Sequence, residues 1–348
     1  GLWQIPGVLM GGEAFPIEQD TSVDEARINL THRNDNGTYG GLQLSSHDNN
    51  LDVELHHAFV GYLIPWWALE TRIEAGRMAA QITPANTEHA SDRLFSETAL
   101  PLDAFLGRQL NDEGIRIATQ WHGWTLGLES WRGRAFPATS GEDGESLDAY
   151  LHFKGESEHF RWHGGVWWLQ ADAFDRQDQR YSDGGHNHGN NANVTAPETT
   201  FDGRTTINGL FLRAGWLFAQ DSHLELEAQW MQVDTDGTLR DTTRTASLVG
   251  EYEGGWLQGL IQIGGHGFGV RWEQLTLENQ LTGAGAAPLA QSSGLMNEDH
   301  NPERLTALYR WQIDPNLALR VEWVDDQIQM ESVERFGVGF VWKQGWAF

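Results

Sequence analysis

The sequence predicts an all-β protein, a transmembrane antiparallel β-barrel of about sixteen strands, with fourteen or eighteen also compatible. Three observations favour this fold. Apolar and polar residues alternate with a period of two along almost the whole chain, as in strands with one apolar face. Short turns alternate with long polar loops. The 348 residues include 17 Trp although the mean hydropathy is −0.48, which suits strands that face lipid on one side and a polar lumen on the other.

The alternation places the strands in order along the chain. They are expected near 24–33, 38–46, 52–62, 67–78, 113–122, 124–134, 147–155, 158–174, 203–218, 223–234, 243–254, 256–278, 303–313, 317–328 and 333–348. A further strand at about 6–15 brings the total to about sixteen, so that both chain ends lie on the same side of the membrane. Within 256–278, the pair Gly264-Gly265 offers one more hairpin turn.

The connectors fall into two classes. Short turns, such as Asn34–Gly37 and Glu253–Gly255, are rich in Gly, Asn and Asp and are expected in the periplasm. The long ones are expected outside the cell; they lie at about 79–112, 135–146, 175–203, 235–243 and 279–302. We expect one domain, 1–348, in which the segment 79–112 folds into the lumen and constricts it.

Tryptophan supports the membrane interpretation. An interfacial Trp buries its ring while its N–H keeps a polar partner, so Trp collects at both membrane surfaces. Residues of this kind stand near predicted strand ends: Trp66, Trp67, Trp121, Trp124, Trp216, Trp256, Trp311, Trp342 and Trp346. The alternative, a soluble all-β protein such as a secreted lectin or glycanase, would need two packed inner faces and fewer Trp.

Composition excludes several classes of function. With 49 acidic and 23 basic residues the net charge is −26, so nucleic acid is not expected as a partner. The absence of Cys excludes disulfides, thiolate zinc sites and cysteine nucleophiles. The aromatic content of 11% argues against disorder. No signal-peptide pattern heads the sequence, which fits a mature or trimmed chain or a cytosolic protein.

Three parts of the sequence resemble known protein groups. The final residues Phe336, Phe340, Trp342, Trp346 and Phe348 share one strand face, and this pattern resembles the C-terminal insertion signal of bacterial outer-membrane barrels. The hairpin formed by Ser22–Leu30 and Tyr39–Leu44 resembles the opening hairpin of the phosphate-selective porin family. Asp92–Glu97 with Asn111–Arg116 resembles that family's third-loop region and the strand after it. The resemblance implies a sixteen-stranded, usually trimeric diffusion porin. It also implies contact with lipid, lipopolysaccharide and the barrel-assembly machinery.

The sequence departs from that family in its lysines. Phosphate selectivity there is attributed to inward Arg ladders with Lys clusters, whereas this chain has only Lys154 and Lys343. The residues expected to line the channel are Arg27, Arg33, Arg72, Glu74, Arg116, Arg161, Arg213, Arg310, Arg320 and Arg335, and Arg304 is a further inward candidate. A row of Arg would favour anions, whereas Arg paired with lumen acids would mainly support the barrel.

Histidine suggests a second function. His186 and His188 stand two apart in a long loop and could bind a divalent metal, completed by Asp183 or by His89. His56, His57 and His163 are further lumen or interface candidates. A solvated polar loop is the simpler explanation of the pair. No other cofactor is expected.

Motifs for catalysis are missing. The sequence has no Gly-x-Ser-x-Gly elbow and no His-Glu-x-x-His zinc motif, so we do not expect an enzyme. The leading hypothesis is a bacterial outer-membrane porin for passive diffusion of small polar or charged solutes. The alternatives are a metal-binding or metal-uptake protein and, third, a barrel enzyme acting on lipid or peptide.

Overall fold

The computed structural model describes residues 3–17, 21–46, 53–139, 144–181, 198–297 and 299–345. The strands are β1 (Ala26–Arg33), β2 (Thr38–Ser46), β3 (Glu54–Trp66), β4 (Leu69–Ala79), β5 (Asn111–Trp121), β6 (Trp124–Trp131), β7 (Glu145–Glu156), β8 (Phe160–Arg176), β9 (Thr200–Ala219), β10 (Ser222–Arg240), β11 (Thr245–Ile263), β12 (His266–Thr282), β13 (Glu303–Asp314), β14 (Leu317–Gln327) and β15 (Val333–Trp342). The helices are α1 (Pro84–Thr87), α2 (Leu100–Leu106) and α3 (Ala286–Ser292). Within the described residues, no helix is long and apolar enough to cross a membrane.

All fifteen described strands form one antiparallel sheet in which each strand pairs with the next in sequence. Because the connections alternate between short and long, the short turns gather at one end of the sheet and the long connections at the other. The chain therefore has the all-β, transmembrane antiparallel barrel fold that the alternation predicts, with a strand number close to the expected one.

Three of the predicted elements are wrong. β10 continues to Arg240, so most of the loop expected at 235–243 is strand. Residues 6–15 form turns and extended chain, not a strand, and Gly7 and Gly12 adopt positive φ angles of 94° and 65°. The predicted break at Glu253–Gly255 lies inside β11, and the turn is at Gly264-Gly265. Gly254 is needed inside the strand because a Cβ there would lie 2.7 Å from the ring of Phe105, so the glycine permits close packing rather than a turn.

The long strands β8–β12 change character along their length, as β10 illustrates. Its outward residues near the short turn are apolar: Leu224, Leu226, Ala228 and Trp230. Its outward residues near the long connection are polar: Gln232, Asp234, Asp236, Thr238 and Arg240. The inward face shows the reverse order, since Glu225, Glu227 and Gln229 precede Met231, Val233 and Leu239. We call the two parts of these strands the short-turn half and the long-loop half.

The inside of the long-loop half is a hydrophobic core. It contains buried residues of the N-terminal segment (residues 3–17), of α2 and of several strands, among them Ile5, Val8, Met10, Phe105, Leu106, Trp131, Trp167, Ile207, Met231, Tyr252 and Leu275. A second cluster joins α3 to the ends of β8–β11, through Leu289, Phe201, Leu239 and Leu248. The apolar residues of the predicted first strand therefore serve as core residues inside the barrel.

Most of the Trp residues predicted near strand ends face outward. Those that lie at the short-turn end and are exposed are Trp66, Trp67, Trp121, Trp124, Trp216, Trp311 and Trp342. Trp230 and Trp272 face outward where the short-turn half ends. Trp256 is the exception: the register of β11 places it on the inward face, where it is buried in the core. Trp346 lies outside the described residues.

Candidate channel lumen

The segment between β4 and β5, residues 80–110, lies against the inward faces of strands all around the sheet, and we call it the inner loop. Thr83 Oγ1 donates a hydrogen bond of 2.8 Å to Gln229 of β10. The Ser96 N–H bonds Glu322 of β14 at 2.8 Å. Asp92 accepts from Arg27 of β1 at 2.9 Å and from Lys343, just after β15, at 2.7 Å. The inner loop thus contacts both the first and the last part of the sheet.

One buried charge network centres on Arg116 of β5, which is 3% exposed. Its Nη1 lies 2.8 Å from Glu74 Oε2, its Nε bonds Glu129, and its Nη2 donates to the backbone oxygen of Ala79. Glu129 also accepts the N–H of Gln81 at 3.0 Å. Because both acids and the guanidinium have partners, the buried charges are compensated, and they hold the start of the inner loop to the wall.

A second network joins the inner loop to the opposite wall. Arg304 of β13 lies between Glu97 of the inner loop and Glu273 of β12, at 2.5 Å from an oxygen of each. Arg335 of β15 also bonds Glu97. Burial alone would raise the pKa of Glu97, but Arg304 and Arg335 hold it at about 2. The acid is therefore charged at neutral pH and fixes the loop to β13 and β15.

The inner loop also contains an acid with the opposite behaviour. Asp103 of α2 is buried, and burial raises its pKa to about 6 in spite of the nearby Arg108, Arg304 and Arg93. Arg108 Nε lies 3.6 Å from Asp103 Oδ1. Asp103 thus lies beside cations without the close contacts that Glu97 makes.

The residues expected to line the channel fall into two groups. Six of the ten lie in ion pairs: Arg27, Glu74, Arg116, Arg161, Arg213 and Arg335. The other four have no ion pair among the described residues: Arg33, Arg72, Arg310 and Arg320. Arg72 bonds Gln81 and Arg310 bonds Gln312, whereas Arg320 donates to the backbone oxygen of Arg93. Arg310 and Arg320 are direct partners in the register of β13 and β14.

Two cavities lie on the short-turn side of the inner loop, and together we call them the vestibule. The larger, of about 640 Å³, is lined by residues that include Glu88, Lys154, Arg161, His163, Arg213 and Glu225. The smaller, of about 370 Å³, is lined by residues that include Glu70, Arg72, Gln120, Thr125, His152 and Lys154. Inward polar groups around open space inside an apolar belt are the arrangement of a water-filled lumen.

Comparison with known proteins identifies solved structures with a similar architecture. No family model matches the sequence, and the comparison with curated proteins gives no match. Among solved structures, OmpT of Vibrio cholerae with loop L8 deleted has a TM-score of 0.54 at 11% identity, covering 92% of this chain and 90% of that chain. The chain has an outer-membrane porin fold. OprB of Pseudomonas putida has a TM-score of 0.51 at 12% identity, covering 96% of this chain and 90% of that chain.

A third solved structure is similar at the same level. The anion-selective porin of Comamonas acidovorans has a TM-score of 0.50 at 11% identity, and the match covers 87% of this chain and 78% of that chain. In the porin fold of the present chain, three of the C-terminal residues singled out above, Phe336, Phe340 and Trp342, face outward and are exposed on β15. Their role as an insertion signal stays a prediction. Phe348 lies outside the described residues, and so do Asp183, His186 and His188.

Several charged residues of this porin-fold lumen escaped the sequence reasoning. Glu97, Arg271 and Glu273 join Arg304 in the second network. Arg271 and Glu273 alternate with outward Val270 and Trp272, so the period of β12 could have placed them inward. The pairing of Glu97 with Arg304, 207 residues away, has no local signal. The structure also brings His56, His57 and His89 together.

Proposed function

We propose that the protein is a channel of the bacterial outer membrane for passive diffusion of small polar or charged solutes. This proposal rests on the distribution of charged and apolar residues in the short-turn half of the barrel. Its outward face is apolar, whereas its inward face surrounds a vestibule lined by Lys154, Arg161, Arg213, Glu88 and Glu225. Charged groups inside an apolar belt need water, and a hydrated lumen through the bilayer is a path for polar solutes.

The inner loop is the proposed constriction. It bounds the vestibule through Glu88 and Thr83 and is held by charge networks on both sides. Beyond it, the N-terminal segment and α2 fill the long-loop half with apolar side chains. We therefore expect a narrow channel, whose rate is set by the inner loop rather than by the barrel diameter.

Phosphate selectivity is the finer hypothesis, and the ion pairs argue against a strong form of it. Most of the inward Arg residues are neutralised by a carboxylate within 3 Å, for example Arg213 by Glu88 and Glu227. Two inward cations without an ion pair among the described residues are Arg310 and Arg320, which are direct partners across β13 and β14, and Arg320 also contacts the inner loop at Arg93. We propose that these two give a modest preference for anions of any kind, since a planar guanidinium binds carboxylate and phosphate alike.

Single-channel recording in planar bilayers tests this proposal. We expect discrete conductance steps that scale with salt concentration, and a reversal potential of the sign for weak anion preference in a KCl gradient. Replacing chloride by phosphate should lower the current without blocking it, because no dedicated phosphate site is proposed. Protein that migrates as a folded, heat-modifiable band but gives no current above that of empty detergent would refute the channel.

The assembly and its surroundings are also proposals. One solved structure of OmpT from Vibrio cholerae, with a TM-score of 0.51 at 10% identity, is described as a trimer form. By that likeness we propose a homotrimer embedded in lipid and lipopolysaccharide and inserted by the barrel-assembly machinery. Chemical cross-linking in native membranes would separate a trimer from a monomer.

A barrel enzyme, the third hypothesis, would need an acid pair or a nucleophile that substrate can reach. The best carboxylate pair by position is Glu129 with Asp148, and their exposures are 1% and 0%. Glu129 is bound by Arg116, and Asp148 accepts the Trp131 indole N–H at 2.7 Å. These acids stabilise the wall, and we propose no covalent chemistry for them.

A further inference from the structure

Three histidines meet between the wall and the inner loop, far from the loop that holds His186 and His188 in sequence. His56 and His57 belong to β3, and His89 belongs to the inner loop. A nitrogen of each ring lies within 4.8 Å of a nitrogen of the other two. The exposures of His56 and His89 are 7% and 8%, so both are buried.

A β-bulge brings two neighbouring residues to the same face. In the ladder between β2 and β3, Gln43 pairs with His57 but Leu44 pairs with Leu55, so His56 is an extra residue on β3. Consecutive residues of a regular strand point to opposite faces, and a bulge changes the direction of a side chain locally. As a result, the rings of His56 and His57 lie 4.9 Å apart between centroids instead of facing opposite sides of the sheet.

The surroundings of the cluster provide a fourth ligand and orienting groups. Glu25, just before β1, places Oε1 3.4 Å from His89 Nδ1. The Asn111 amide bonds His56 Nδ1 at 3.0 Å, and the Gln43 amide lies 3.1 Å from His89 Nε2. A metal-binding imidazole donates its other ring N–H to an oxygen, so each of these amides would turn its oxygen towards the histidine when metal binds. His57 Nε2 is buried without a hydrogen-bond partner among the described residues.

We propose that His56, His57, His89 and Glu25 form a binding site for a divalent transition metal, with zinc as the reference ion. Three imidazoles and one carboxylate suit zinc, which prefers four nitrogen, sulfur or oxygen ligands at about 2.0–2.2 Å. Tetrahedral bonds of that length bring ligand atoms to about 3.4 Å from one another, so the rings would close by about 1 Å on binding. A cavity of about 110 Å³ adjoins Glu25, His56 and His89 and gives the ion a route.

A metal ion at this site would hold three segments of the chain together. Its ligands come from three separate segments: the residues before β1, the strand β3 and the inner loop. Glu25 supplies the carboxylate of the set and already contacts His89. Bound metal would tie the inner loop to the wall beside the Glu97 network, because the cavity next to His56 and His89 is also lined by Glu97 and Arg304.

Calorimetric titration of the full chain, folded in detergent and freed of metal with a chelator, tests the site with zinc chloride. We expect one zinc per chain, with affinity lowered at least tenfold in His57→Gln and in His89→Gln. The control His159→Gln alters an exposed histidine in the turn between β7 and β8 and should bind zinc as the wild type does. Cobalt(II) should give visible absorption bands of a tetrahedral site, and they should disappear in His57→Gln.

A second variant separates this site from the long loop. His186→Ala/His188→Ala should keep the wild-type affinity if the proposal is correct. Loss of zinc binding in that double variant, with unchanged affinity in His57→Gln, would assign the metal to the loop and overturn the proposal. Absence of any zinc binding would overturn it as well. If His89→Gln does not fold, as judged by its heat-modifiable band, His57→Gln carries the test. Conductance is not a readout here, so failure of the metal site leaves the channel proposal intact.

Discussion

Inward and outward residues alternate in both halves of the long strands, but the apolar residues face outward in the short-turn half and inward in the long-loop half. On β12, outward Phe268, Val270 and Trp272 precede outward Thr276 and Glu278. Inward residues change in the reverse order, because Arg271 and Glu273 are followed by Leu275 and Leu277. In the short-turn half the outside is lipid and the inside is polar. In the long-loop half the outside is polar and the inside is a packed core.

The difference indicates where the membrane ends. On β10 the apolar outward residues run from Leu224 to Trp230, about 20 Å at roughly 3.3 Å per residue. The whole strand has 19 residues and is therefore about three times as long. The long-loop half stands outside the lipid, where water surrounds it, so it resembles a soluble β-structure filled by the N-terminal segment. One half of a long barrel strand thus lies in the membrane, and the other half lies in water.

The strongest test of this contrast removes core volume from the long-loop half. Leu248 on β11 is fully buried against Phe201, Leu239 and Leu289, so Leu248→Ala should lower the free energy of unfolding by about 2–5 kcal/mol. Its neighbour Val249 faces outward, and Val249→Ala should change that energy by about 0.5 kcal/mol or less. Denaturant unfolding of both variants in lipid vesicles measures this difference. Equal effects would contradict a core in this half.

Nearer the short turn of the same strand, we expect the outward position to be the more sensitive to substitution. Leu257 of β11 faces lipid, so Leu257→Arg should destabilise the folded barrel by about 2–4 kcal/mol. Gln258 faces the vestibule, and Gln258→Arg should change stability by less than about 1 kcal/mol because water solvates the new charge. The measurement is again unfolding in vesicles. A larger loss for Gln258→Arg than for Leu257→Arg would place the membrane boundary elsewhere.

The sequence predicts the strands far better than it predicts the residues that fill the inside of the barrel. Alternation is a local property, so it places β13 and β14 within a few residues. It does not say which face meets lipid, since Leu248 and Leu257 look alike in sequence but lie on opposite faces. Glycine is ambiguous as well: Gly264 makes a turn, whereas Gly254 makes room for Phe105. Contacts such as Glu97 with Arg304 depend on the folding of the inner loop, which periodicity does not describe.

The charge network where the two halves meet should respond to acid. The pKa of Glu97 is lowered from its ordinary value to about 2, so its contribution to stability is complete above about pH 4.5 and is lost as the pH falls towards 2. We expect a loss of at most about 3 kcal/mol over that range in the wild type. Glu97→Gln should already be less stable at pH 7 and should lack this part of the pH dependence.

Unfolding free energies measured between pH 2 and pH 7 test this expectation. Glu253→Gln alters an exposed, outward acid of β11 and should retain the wild-type profile. If Glu97→Gln and the wild type lose stability in parallel below pH 4.5, the network does not fix the inner loop in the way described. A rise of conductance in acid, absent in the variant, would add that the loop is released.

The smallest expected effect concerns selectivity, and it depends on where a cation lies within the lumen. Arg320 is 8% exposed and contacts the inner loop, whereas the side chain of Arg161 in the vestibule is 72% exposed. Ions and water screen an exposed charge much more than a buried one. Arg320→Gln should therefore lower the anion-to-cation permeability ratio about twofold, or ~0.4 kcal/mol, and Arg161→Gln should leave it nearly unchanged. Reversal potentials in a KCl gradient measure both ratios. A larger change for Arg161→Gln would move the selective region from the inner loop to the vestibule, and the inner loop would then limit only the size of the solutes that pass.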